Sequence, residues 1–184
     1  MSGCGAGTYV TQTVAGVPMN TPGYVDYPDS IAIAGGYAWV ADTKNNRIES
    51  WDVATHAFVA PYGSLGSGTG QFQTPTSVTV DPTTGNLFVA DSGNNRVVEL
   101  SVSDGTVVST VATFTSGISD PYGAASNGAG LLAVANRNND QVIILNESDS
   151  SVFAIITGSD VTGGGPTTLF DPENVVFGPD GRCV

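Results

Sequence analysis

The sequence predicts an all-β fold assembled from repeated four-stranded antiparallel units. Three observations predict it. Trp39-Val40-Ala41-Asp42-Thr43-Lys44-Asn45-Asn46-Arg47-Ile48 recurs as Phe88-Val89-Ala90-Asp91-Ser92-Gly93-Asn94-Asn95-Arg96-Val97, and more loosely as Ala133-Val134-Ala135-Asn136-Arg137-Asn138-Asn139-Asp140-Gln141-Val142. A proline opens an alternating apolar segment ahead of each copy, at Pro28, Pro75 and Pro121, and Pro172 opens a fourth before Val175-Val176-Phe177. Between these marks, apolar residues alternate over four to six positions and turn residues break the runs, which is the pattern of short strands.

The elements follow in order. Residues 7–15 match 105–111, so the chain opens on the fourth strand of a preceding unit. Full units are expected at 28–62, 75–112 and 121–157, and the start of a further one at 172–184. The middle unit is the clearest. Ser77–Val80 is its first strand, Asp81-Pro82-Thr83-Thr84-Gly85-Asn86 a turn, and Leu87–Ala90 the second strand. Arg96–Val102 is the third, Asp104-Gly105 a two-residue hairpin, and Thr106–Val111 the fourth. Four antiparallel strands in about 47 residues make one blade of a β-propeller. The chain therefore reads as a propeller segment of about three full blades with partial terminal strands, a fragment of a longer ring or a chain with open, pairing-competent edges.

Composition narrows the partners. Seventeen acidic residues face five basic ones, for a net charge of −12. That balance excludes nucleic acid and anionic membrane surfaces, which require clustered Lys and Arg. No apolar run reaches the roughly 18 residues of a membrane span, and the first residues lack a signal-peptide pattern. Cys4 and Cys183 stand at opposite ends, available as a terminal staple in a secreted chain or as ordinary thiols in cytosol. Few lysines and the sequon Asn146-Glu147-Ser148 point toward an extracytoplasmic setting, with the compartment left open.

The tract Gly66–Pro75, running into Val80-Asp81-Pro82-Thr83-Thr84-Gly85-Asn86-Leu87-Phe88-Val89-Ala90-Asp91-Ser92-Gly93-Asn94-Asn95-Arg96-Val97, resembles the NHL repeat. The copy around Asp42 is close behind, while the third departs at Asn136 and Asp140-Gln141. The resemblance implies a propeller, usually of six blades, or roughly 280 residues at about 47 per blade. Some members are lyases with channel histidines, and others bind RNA or sit behind ubiquitin-ligase or kinase domains. This sequence has no residues to carry those histidine ligands, no RING or kinase motif, and no basic face.

Two groups of residues invite functional readings. The first is the repeated set Asp42, Asn46, Arg47 and Asp91, Asn95, Arg96, read as structural. Each Asp accepts backbone N–H bonds from the turn after it, and each Arg pairs back to that Asp. A feature present in every blade serves every blade. The second group differs from blade to blade: Asp29, Thr76, Tyr122 and Glu173 follow the four prolines, and Ser30, Ser77, Gly123 and Asn174 come next. First strands line a propeller's channel, so these residues ring one mouth. Asp29, Tyr122, Glu173 and Asn174 are the expected binding positions, with Tyr27 and Tyr62 as nearby aromatic anchors.

Other motifs carry no chemistry. The glycine-rich segments 63–70 and 158–165 lack the Lys of a phosphate loop and read as flexible connections between blades. Phe72 and Phe170 are expected to anchor those connections in the core, and Trp39, Phe88 and Ala133 to pack between blades. His56 is the only histidine, in an outer turn, and no Gly-x-Ser-x-Gly elbow occurs. The expected function is thus a non-catalytic scaffold for a protein, peptide or glycan, without a cofactor. The alternative is a metal-dependent hydrolase or lyase using Asp29, Glu173 and Asn174 as oxygen ligands for Ca²⁺. Self-association through open blade edges is a further expectation.

Overall fold

The structure is a computed structural model and describes residues 18–158 and 169–178. It is all-β: the described residues form three four-stranded antiparallel sheets, with single 3₁₀ turns and no α-helix. The first sheet holds β1 (Pro28–Ala34), β2 (Tyr37–Asp42), β3 (Arg47–Asp52) and β4 (Phe58–Tyr62). The second holds β5 (Pro75–Val80), β6 (Leu87–Asp91), β7 (Arg96–Ser103) and β8 (Thr106–Phe114). The third holds β9 (Pro121–Ser126), β10 (Leu131–Asn136), β11 (Gln141–Asn146) and β12 (Val152–Ile156). In each sheet spatial order equals chain order, so every sheet is a simple meander, the form of one propeller blade.

Local chemistry explains the meander. Asp104 and Gly105 both take positive φ, 50° and 75°, which is the type I′ geometry that lets two residues join twisted strands. Gly105 is also a close approach: a Cβ there would lie 2.6 Å from the Tyr37 ring of the neighbouring blade. At the β5–β6 turn the Asp81 carboxylate accepts the Thr83 and Thr84 amides at 2.7 and 3.2 Å, closing an Asx turn.

The blades join through their faces, and their first strands lie side by side, β1 against β5 and β5 against β9. Trp39, Ala41 and Ile48 of the first blade bury against Val78, Leu87, Val89, Val98 and Leu100 of the second. Phe88, Val97 and Phe114 then bury against Ala124, Leu132, Val134, Ile143 and Leu145 of the third. Trp39, Phe88 and Ala133 share one repeat position and are essentially inaccessible; Trp39 and Phe88 sit in these junctions, whereas Ala133 clusters with Val175 on the other face of the third blade. Alternation along β6 sends Leu87 and Val89 to the first blade and Phe88 to the third, which is why this strand is buried on both faces.

Several expectations change. Phe72 is an anchor, buried between the first two blades with its ring edge-on to Tyr62 at 6.1 Å. Phe170 is not; it is 79% exposed. The reason is register: Phe72 stands three residues before its proline, and the residue three before Pro172 is Leu169, which packs onto the third blade. Nor is the glycine-rich segment 63–70 free. Its carbonyls at Gly66, Ser67 and Gly68 accept hydrogen bonds from Asn94 and Arg96, and Leu65 bridges to Phe72. The fourth strand β8 runs past residue 112 to the buried Phe114. Residues 169–178 hold no named strand; they rest on the third blade through Leu169, Val175 and Phe177. The expected strand at 7–15, both cysteines, most of the second glycine-rich segment and residues 179–184 lie outside the described residues.

Candidate functional site

The first strands position a polar cleft. Asp29 and Ser30 open β1, Thr76 and Ser77 open β5, and Tyr122 and Gly123 open β9, each immediately after its proline. With Glu173 and Asn174 they line one cleft of about 200 Å³. Gly123 makes the assembly possible, since a Cβ there would fall 2.7 Å from the Glu173 carbonyl oxygen. Glu173 and Asn174 can approach β9 only across that bare backbone.

Within the cleft some groups are committed and others are free to act outward. Thr76 Oγ1 donates to the Tyr122 carbonyl at 2.9 Å, and Ser30 Oγ to the Val78 carbonyl at 3.2 Å. These hydroxyls tie neighbouring first strands together. Asp29, Glu173 and Asn174 are exposed, and the Asn174 side-chain oxygen accepts the Val175 amide at 2.9 Å. Burial, reinforced by the carboxylates of Asp29 and Glu173, pushes the Tyr122 phenol up, so it stays a protonated donor. The Arg137 guanidinium lies over the Tyr122 ring, 4.8 Å from its centroid. The other two tyrosines stand elsewhere. Tyr62 is turned into the junction against Phe72, and Tyr27, 65% exposed, has Lys44 over its ring at 4.5 Å.

The repeated set does different work. After β2, β6 and β10 the chain makes a 3₁₀ turn and leaves through Asn46, Asn95 or Asp140 at φ 56°, 52° and 51°. Asparagine and aspartate tolerate this left-handed conformation better than other side chains. Each of these side chains reaches the next blade and accepts the amide of the residue before its proline: Thr74 at 2.9 Å, Asp120 at 2.8 Å and Asp171 at 3.0 Å. Arg47 Nε donates to Asp42 Oδ2 at 2.7 Å while its other nitrogens reach the Asn20, Thr21 and Tyr24 carbonyls. Arg96 repeats this with Asp91 at 2.7 Å and the carbonyls of Ser67, Gly68 and Gln71. The second Asp oxygen accepts an amide from the segment entering the blade, Asp26 or Gln73, both at 2.7 Å. The expected donors in the following turn are not used, because the incoming segment passes closer to the buried carboxylate.

Sequence reasoning missed two features. Thr43 Oγ1 donates to the Pro75 carbonyl at 2.8 Å, and Ser92 Oγ donates likewise to Pro121, so the hydroxyl after each Asp is a second inter-blade tie. A Thr or Ser in both copies was the visible signal. Glu49 is fully buried beside Arg47, with Oε1 2.9 Å from the guanidinium and accepting the Gly23 amide at 3.0 Å. Burial raises its carboxyl above the usual range. The equivalent residue in the second blade is Val98, so the repeat gave no hint of it. His56 lies exposed in the β3–β4 turn, outside the cleft. Among the described residues no three His, Cys, Asp or Glu side chains converge as a metal-holding group, and no helix is long and apolar enough to cross a membrane.

Comparison with known proteins bears on the fold. Hydrazine synthase of Kuenenia stuttgartiensis superimposes with a TM-score of 0.65 at 15% identity, over 95% of this chain and 44% of that one. A functionally unknown protein from Desulfotomaculum acetoxidans DSM 771 gives 0.62 at 16%, over 84% of this chain and 46% of that one. Streptogramin B lyase gives 0.60 at 19%, over 85% and 46%. This chain thus spans less than half the length of each solved chain. No curated protein sequence matches it significantly. Residues 72–100 match the family model of the NHL repeat. The chain is a β-propeller segment that carries an NHL repeat at residues 72–100.

Proposed function

We propose that this segment is a non-catalytic scaffold, part of a longer chain, that holds a protein or peptide at the cleft formed by its first strands. The observation that carries the reading is the charge arrangement. Asp29 and Glu173 are exposed at the cleft, whereas the described basic side chains are already engaged: Arg47 and Arg96 in buried pairs, Arg137 on Asp120 and Tyr122, and Lys44 on Tyr27. A ligand must therefore bring the cation. A lysine or arginine side chain of a partner satisfies both carboxylates, and the Tyr122 phenol supplies a donor beside them. The positions that differ among blades meet at this cleft, while those that repeat hold the blades together.

An array of peptides with and without Lys and Arg tests this. Basic peptides bind, the affinity falls as salt is raised, and Asp29→Asn with Glu173→Gln weakens it about five- to tenfold, the worth of two partly exposed ion pairs. An affinity indifferent to both substitutions contradicts the proposal.

A second reading, calcium-dependent hydrolysis or lyase chemistry at the same cleft, is favoured by the convergence there of Asp29, Glu173 and the Asn174 amide, all oxygen donors. One protein of similar fold is named a lyase, a likeness of fold alone. Millimolar calcium then raises the melting temperature, and the rise disappears in the double variant. A melting curve that ignores calcium removes this reading.

A further inference from the structure

The segment entering the first blade lies over β3, and a buried ionic cluster holds it there. Arg47 donates to the Asn20, Thr21 and Tyr24 carbonyls, and the Asp26 amide reaches Asp42 Oδ1 at 2.7 Å. The second blade repeats these contacts with residues 67–73, Arg96 and Asp91. One contact does not recur: the Gly23 amide donates to Glu49 Oε1 at 3.0 Å. In the other two blades the positions equivalent to Glu49 are Val98 and Ile143, both apolar and buried.

Glu49 shares its cation. Arg47 pairs with Asp42 at 2.7 Å and with Glu49 at 2.9 Å, so two buried carboxylates divide one guanidinium. Asp42 is the better satisfied of the two, since it also accepts from the Asp26 amide and the Asn45 side chain. Glu49 Oε2 is buried with no hydrogen-bond partner among the described residues. Its cross-strand neighbours are Val40 on β2 and Pro61 on β4, neither of which brings a charge. The segment above supplies the Gly23 amide, and the charged groups acting on Glu49 are Arg47 and Asp42. With both carboxylates ionised the cluster holds a net negative charge away from water, and a proton on Glu49 balances it.

We propose that residues 20–25 form a pH-gated strap, held over β3 while Glu49 carries a proton and lifted when that proton is lost. Lifting lets water reach Oε2, which removes the cost of burying an ion with one oxygen unpaired. Gly23 rests on Phe58, where a Cβ would come within 3.3 Å of the ring, and Phe58 stands edge-on to Trp51 at 5.7 Å. A lifted strap therefore uncovers Phe58 and changes the surroundings of Trp51. Val25, at the end of the strap, and Trp51 both line an apolar hollow of about 440 Å³, so the same movement opens that hollow. Exposure of an apolar surface on the first blade is thereby coupled to pH.

Amide hydrogen exchange on the 184-residue chain, followed by NMR between about pH 4 and 8 and expressed as protection factors, tests the proposal. The Gly23 protection factor falls by up to about tenfold per pH unit above the ordinary glutamate range, then levels off. The Gln73 amide, held by Asp91 in the second blade, keeps its protection, and Trp51 emission shifts red over the same range. Glu49→Gln abolishes the response of Gly23, and so does Glu49→Val, which copies the second blade. Protection of Gly23 that does not change with pH overturns the proposal. So does a fall shared equally by Gln73, which marks loosening of the whole fold, or a response that survives both substitutions.

Discussion

The turn after β6 and the turn after β10 have one backbone shape and two chemistries. Asn95 and Asp140 leave these turns at φ 52° and 51°, and both reach the next blade. In the second blade the buried Asp91 is paired with Arg96, whose fork also holds three carbonyls. In the third blade Asn136 stands in the Asp position and Gln141 in the Arg position. There the Asn136 oxygen accepts the Ser119 amide at 2.6 Å, and its amide nitrogen donates to the Gly117 carbonyl at 2.9 Å. Arg137 has moved to the surface, pairing with Asp120 at 2.8 Å with a third of its side chain exposed.

The segment entering each blade accounts for the difference. The second blade is reached through residues 63–74, a long excursion whose carbonyls turn inward and need donors. The third is reached through the shorter 115–120, which presents the Gly117 carbonyl to the Asn136 amide. The ion pair is thus a device for pinning a long connection. In the first blade Arg47 likewise holds three carbonyls of the entering segment, those of Asn20, Thr21 and Tyr24. Departure of the third copy from the repeat pattern reflects a shorter connection rather than a decayed blade.

The largest effect that breaks this comparison is Arg96→Ala. It strands the fully buried Asp91 carboxylate and releases the 63–74 connection, at a cost of about 3–5 kcal/mol. Thermal unfolding reads that as a loss of roughly 10 °C in Tm for a chain of this size. Next, Asn136→Asp buries a carboxylate with no guanidinium beside it and costs about 3 kcal/mol. Adding Gln141→Arg recovers part of this, and a double-mutant cycle by urea unfolding measures the coupling. Recovery stays incomplete, because the short connection offers fewer carbonyls to the fork. Asn95→Gly keeps the left-handed turn but removes the tie to Asp120, an expected loss of about 1 kcal/mol.

The smallest effect concerns pH. Burial raises the Glu49 carboxyl, so the folded chain takes up this proton at a higher pH than the unfolded chain does. Its contribution to stability is therefore present below the ordinary glutamate range and is lost as pH rises through the raised value. Glu49→Gln removes that decline, so the difference in Tm between variant and parent grows with pH across this window. A difference that is constant with pH contradicts the assignment.

The blade repeat was legible because identical backbone tasks recur with identical side chains: Asp104-Gly105 announces its hairpin, and Trp39, Phe88 and Ala133 hold one buried position. What escaped depended on neighbours that a linear reading does not supply. Phe170 looks like Phe72 by type, yet distance from the proline gives the buried place to Leu169. Tyr62 looks like a rim aromatic until Phe72 is seen against it. Glu49 occupies a position that is apolar in the next blade, and only Arg47 and the Gly23 amide make its burial tolerable. At the cleft, alignment to the prolines brought Asp29, Tyr122, Glu173 and Asn174 to the same level. The commitment of Thr76 and Ser30 to inter-strand bonds was visible only in three dimensions.

The central claim is that repeated residues hold the blades and blade-specific residues recognise a partner. Its most direct test is a crossed measurement of melting temperature and basic-peptide affinity in two variants, Arg96→Ala and Asp29→Asn with Glu173→Gln. The account predicts a lowered melting temperature with preserved affinity in the first, measured well below its transition, and weakened affinity with an unchanged melting temperature in the second. Affinity lost in the first variant and kept in the second would contradict it.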